Sequence, residues 1–169
     1  NYNVVVGDEA GTALTTGDQN VAVGFEALST EDAHGLNTAV GYRALKTLNA
    51  GAEGYNTAVG IDSGLSMTLG VENTLLGALT GDALTHADFN TAIGSTALGA
   101  DTLGSRSVAI GANSLNTQNF TTATNVYNVA VGYDAGTAIT TGVQNTIVGG
   151  LAGDALTDAD FNVALGVAS

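Results

Sequence analysis

The feature that most constrains this chain is a five-residue phrase, Asn-Thr-Ala-Val-Gly, present unchanged at Asn37 to Gly41 and at Asn56 to Gly60. With substitutions it recurs ten times, starting at Asn3, Asn20, Asn37, Asn56, Asn73, Asn90, Ser107, Asn128, Asn145 and Asn162, and every copy closes on glycine. Successive starts lie 17, 17, 19, 17, 17, 17, 21, 17 and 17 residues apart. A period of that kind, kept from end to end, predicts a solenoid in which each repeat stacks on the one before it.

The phrase reads as a strand. Its second residue is always Val or Thr and its fourth is Val, Ile or Leu, residue types that suit a pleated surface. Strand side chains alternate between faces. The second and fourth columns are therefore expected to face the core, with the first, third and fifth sharing the opposite face. That opposite face carries Ala22, Ala39, Ala58, Leu75, Ala92, Ala109, Ala130 and Ile147 in its third column. It is small and uncharged, which marks these residues as the expected seam for self-association.

Asn and Gly tolerate positive φ better than other residues. The corners of each coil are accordingly expected at Asn20, Gly24, Asn37, Gly41, Asn56, Gly60, Asn73, Gly77, Asn90, Gly94, Gly111, Asn128, Gly132, Asn145 and Gly149. Stacked Asn side chains can also bond from coil to coil.

Counting the first residue of each phrase as position 0, two coil subtypes are visible. Positions 7 and 8 read small-then-Leu in some coils (Ala27-Leu28, Ala44-Leu45, Ala97-Leu98, Ser114-Leu115). In others position 8 is Gly and a hydrophobe follows three residues later, at Leu14, Met67, Leu84, Ile139 and Leu156. Two coils are longer than the rest, by two residues near Asn49-Ala50-Gly51 and by four near Thr117 to Thr124. Insertions in a solenoid form loops on one side. Phe120 is the one aromatic away from the phrase, so Phe120 with Asn119 and Gln118 is the expected receptor contact.

Sixteen acids against three bases leave a net charge of −13. That argues against nucleic acid or an anionic membrane as partner, since both need clustered Lys and Arg. No run of about 18 apolar residues occurs, so no membrane insertion is expected in this segment. The chain has no cysteine, which excludes disulfides and thiolate metal sites. His34 and His86 stand apart in turns, and neither a metal nor a cofactor is expected. Glu31-Asp32, or Asp158 with Asp160, could be read as paired carboxylates, but acids on turns are ordinarily solvated, so no catalysis is expected.

Arg106-Ser107-Val108-Ala109-Ile110-Gly111-Ala112-Asn113-Ser114 resembles the head repeat of trimeric autotransporter adhesins. Coils such as Asn37 to Leu45 are similar to repeats of bacteriophage tail-fibre proteins. The resemblance implies a left-handed parallel β-roll, a homotrimer, and a place outside the cell, on a virion or on a bacterial surface. The expected architecture is therefore an all-β parallel solenoid of about ten 17-residue coils, residues 1–169 forming one array cut from a longer fibre. The implied function is structural and adhesive, attaching to a host cell or surface through a glycan or protein receptor that the sequence leaves unnamed. The alternatives are a polysaccharide-degrading fibre enzyme and an ice-binding solenoid. Ice binding is disfavoured on the expectation that the Thr column points into the core.

Overall fold

The computed structural model describes residues 2–169, and no helix occurs among them. Each phrase contributes its central three residues as a strand: β1 Val4–Val6, β2 Val21–Val23, β3 Thr38–Val40, β4 Thr57–Val59, β5 Thr74–Leu76 and β6 Thr91–Ile93. After β7 Gly104–Ser105, the series continues with β8 Val108–Ile110. It then resumes, after β9 Thr124–Asn125, with β10 Val129–Val131, β11 Thr146–Val148 and β12 Val163–Leu165. The ten phrase strands form one parallel sheet in chain order, and β7 pairs separately with β9.

Register is residue for residue. Ala22 lies opposite Ala39, and the match is kept across both insertions, with Ala39 opposite Ala58 and Ala109 opposite Ala130. The chain is a β-solenoid of ten stacked phrases with a repeat of about 17 residues. At roughly 4.8 Å per stacked strand the sheet is about 45 Å long.

The faces of the sheet are the reverse of the expected ones. Ala22, Ala39, Ala58, Leu75, Ala92, Ala109, Ala130 and Ile147 are fully buried inside the coil, so they form core and not a seam. The second and fourth columns point outward, and none of their residues is buried. The reason is volume. A coil of this length folds back on itself so tightly that the space behind the strand admits one thin layer of side chains, which alanine fits and which larger residues enter only where a glycine faces them.

The two coil subtypes are two ways of filling that layer. In one, Leu28, Leu45, Leu98 or Leu115 occupies position 8 and is fully buried. In the other, position 8 is glycine and the apolar residue stands at position 11, where Met67, Leu84 and Ile139 are fully buried. A β-carbon on Gly81 would sit 2.8 Å from Leu84 Cδ1 and 3.0 Å from Leu75 Cδ2. The large third-column residues follow the same rule. Leu75 lies between Gly64 and Gly81, and Ile147 between Gly136 and Gly153.

The turns correct the corner assignment for asparagine. Positive φ falls not on the Asn but on the residue before it: Gln19, Leu36, Tyr55, Glu72, Phe89, Arg106, Tyr127, Gln144 and Phe161 have φ between 49° and 67°. Residues of many kinds tolerate that left-handed region at moderate cost. The phrase glycine is different, with φ of +127° at Gly94. A β-carbon there would also come within 2.5 Å of the Gly111 carbonyl carbon in the next coil.

Gly94→Val is therefore expected to destabilise the fold by more than the ~1–2 kcal/mol of backbone strain alone. Exposed Ser95→Val should cost far less. Urea unfolding of the two variants checks this, and equal midpoints would refute the assignment.

Candidate functional site

The outward face of the long sheet is built from two columns. The first holds Val4, Val21, Thr38, Thr57, Thr74, Thr91, Val108, Val129, Thr146 and Val163. The second holds Val6, Val23, Val40, Val59, Leu76, Ile93, Ile110, Val131, Val148 and Leu165. No charge interrupts either column. Parallel in-register pairing stacks column on column, so methyl groups repeat at the strand spacing along the rod, joined by Thr hydroxyls at β3 to β6 and β11. Leu76, on β5 in the middle of the sheet, is 45% exposed, and Val148, one strand in from the edge, is 39% exposed. Exposed β-branched and aliphatic columns of this extent mark a contact surface.

Charge is held elsewhere and is largely self-neutralised where bases occur. Arg43 makes a two-point ion pair with Asp62, both contacts at 2.7 Å, and lies 4.9 Å from the centre of the Tyr42 ring, which stacks on Phe25. Lys46 pairs with Glu26 at 2.7 Å. Arg106 sits over Phe89 and donates to Asn125. All three bases of the chain are thus engaged with neighbours, and they form no basic patch. No helix among the described residues is long and apolar enough to cross a membrane.

Behind the sheet runs a buried polar column. Asn20, Asn37, Asn56, Asn73, Asn90, Asn128 and Asn145 are essentially inaccessible. Each side-chain oxygen accepts the backbone N–H of the next coil's position 0, as in Asn37 to Asn20 Oδ1 at 3.0 Å and Asn90 to Asn73 Oδ1 at 3.0 Å. The side-chain amide commonly donates to a carbonyl fourteen residues on, as from Asn56 to Gly70 and from Asn128 to Gly142.

Ser107 is too short to continue this pattern. Gln118 repairs it: Nε2 donates to Ser107 Oγ at 3.1 Å and to Asp101 Oδ2 at 2.6 Å, while Oε1 accepts from Asn128 Nδ2 at 2.9 Å. Gln118 and Phe120 are consequently buried, so neither is the expected receptor contact. Only Asn119 of that group is exposed, and its Oδ1 accepts from Thr102. The sequence signal was available, since Gln118 occupies position 11, the column of Leu84 and Ile139.

Position 11 also carries Glu31 and Asp101, both fully buried. Each carboxylate accepts two backbone N–H groups, one from three residues on and one from nineteen residues on. Asp101 Oδ1 binds the amides of Gly104 and Phe120, both at 3.0 Å. Glu31 binds those of His34 at 3.1 Å and Ala50 at 2.9 Å. In both cases the farther partner belongs to the next, lengthened coil. The buried acids are thus anchors for the two insertions. Asp158 and Asp160, the other proposed acid pair, are exposed and bond to Thr157 Oγ1 and the Val143 amide.

Comparison with protein-family models, with curated proteins and with solved structures gives no match.

Burial raises the Asp101 carboxyl above its ordinary value of 3.8, against the opposing pull of hydrogen bonds from Gln118, Phe120 and Gly104. The folded chain therefore binds this proton more tightly than the unfolded chain. The associated stabilisation is complete below about 3.8 and is lost as pH rises through the folded value. Thermal midpoints should climb as pH falls from 7 toward 4, and Asp101→Asn should flatten that climb. Parallel pH profiles for the two proteins would contradict the assignment.

Proposed function

We propose that this chain is a non-catalytic structural segment of a surface fibre, a left-handed solenoid that assembles as a homotrimer and serves attachment to a host cell or surface. The observation that carries this reading is the uncharged outward face, unbroken over ten strands in a chain of net charge −13. Like-charged chains repel across most of their surface. They approach at least cost where no charge has to be desolvated, and cyclic association along one face closes the assembly. The adhesin and tail-fibre resemblance of the repeats supports threefold order, the handedness and an extracellular, virion or bacterial-surface location. The receptor, glycan or protein, would be met by surfaces other than the assembly face.

Ile93 and Ile110 are adjacent in the fourth column. Replacing both by glutamate should reduce the mass in solution from three chains to one while the β-rich circular dichroism persists. Ala92→Glu, by contrast, places charge in the core and should unfold the chain outright. A wild-type chain that is monomeric at all concentrations would overturn the reading.

A second reading, ice binding, gains from one observation. Thr38, Thr57, Thr74 and Thr91 follow one another in consecutive strands and point outward, not into the core as expected. A monomer whose exposed Thr face slows ice growth would favour it over the fibre.

A further inference from the structure

The turn after β2 carries a group that neither the sheet face nor the polar column uses. Glu31, Asp32 and His34 each offer one ligand atom, and these atoms lie within 4.8 Å of one another. The backbone beneath them is pinned. The Asp32 carbonyl accepts the amides of Thr15, Thr16 and Gly17, and the His34 carbonyl accepts Asn20 Nδ2. Glu31 is itself fixed by the His34 and Ala50 amides.

Independently of the acids, His34 Nδ1 is enclosed by protein and has no hydrogen-bond partner, the one buried side-chain nitrogen or oxygen in that state among the described residues. It lies 3.8 Å from Glu31 Oε1, too far for a hydrogen bond.

Asp101 takes two backbone amides from corresponding positions, both on Oδ1, and Gln118 Nε2 donates to its Oδ2, whereas the two Glu31 oxygens accept one amide each. At Glu31 the corresponding place in the next coil is held by Leu48, which donates nothing from its side chain, and the carboxylate is left facing the unpartnered imidazole nitrogen. An orphaned imidazole nitrogen 3.8 Å from one carboxylate oxygen, in a cluster with a second carboxylate, is completed by a cation that accepts mixed nitrogen and oxygen ligands.

We propose that Glu31, Asp32 and His34 form a binding site for a divalent transition metal of the zinc class. Zinc takes imidazole nitrogen at about 2.0–2.1 Å and carboxylate oxygen at about 2.0–2.2 Å, usually with four ligands. The three ligand atoms lie within 4.8 Å of one another, a spread that one ion placed among them can span. His34 keeps 32% of its side chain exposed, so the cluster lies just beneath the surface. Calcium and magnesium prefer all-oxygen shells and would gain little from the imidazole. The ion would tie the turn after β2 to the Ala50 insertion through Glu31, so its role is to stiffen that corner. This inference stands apart from the fibre reading.

The test is titration of the full chain with zinc chloride by calorimetry, beside thermal unfolding with and without zinc. One equivalent of zinc should bind and raise the midpoint. His34→Ala should weaken binding roughly a hundredfold or more, and Asp32→Asn about tenfold or more. Both substitutions leave the Glu31 anchor in place, and circular dichroism of the metal-free variants confirms the fold. Absence of zinc binding by the folded wild type, or zinc binding that survives His34→Ala, would overturn the proposal. So would equal midpoint shifts with calcium in wild type and His34→Ala.

Discussion

The width of the coil interior governs nearly everything else in this molecule. Seventeen residues closed into a loop leave room for a single layer of side chains between the strand and the return segment, and protein interiors do not tolerate voids or overlaps in such a layer. Alanine therefore lines the strand's inner face, and each larger residue there is answered by a glycine across from it. Leu75 with Gly64 and Gly81 is one such set, and Ile147 with Gly136 and Gly153 is the other. The bulkier β-branched residues are left to the outside, where they are free of the volume limit. An exposed apolar face is thus a by-product of a thin core, and it is the surface most readily covered by another chain.

A thin core also cannot bury its polar groups at a distance from its apolar ones. The Asn column solves this by bonding inward and upward at once, each side chain serving its own coil through the amide and the next through the oxygen. The solution depends on side-chain length. Where Ser107 is too short, the coil needs a donor and acceptor from elsewhere, and Gln118 provides both. The four extra residues of that coil and the serine at its start are therefore parts of a single arrangement.

Much of this was legible in the sequence. The period gave the coil count and the stacking direction, the central residues of the phrase gave the strands, and the glycine gave the one backbone position with φ beyond 120°. The sidedness is not legible from hydrophobicity, because volume decides it. Val, Ile and Leu outrank Ala on any transfer scale, yet Ala22 is inside and Val21 and Val23 are not. Phe120 and Gln118 depart from the expected receptor contact for a related reason: the first residues of an insertion still occupy interior columns. The proximity of His34 to Glu31 follows from a tight turn whose backbone path no local pattern announces.

The buried acids at position 11 bear on how such an array can vary. A coil that bulges leaves amide groups of its return segment without the partners that a regular neighbour would offer. Here the coil beneath supplies a carboxylate to take them, Glu31 for Ala50 and Asp101 for Phe120. Length change in one repeat is therefore written partly in the repeat before it. A loop transplanted into another coil of this array would need its acidic residue carried along from the preceding coil, so the unit that can be exchanged without loss is a pair of coils and not one.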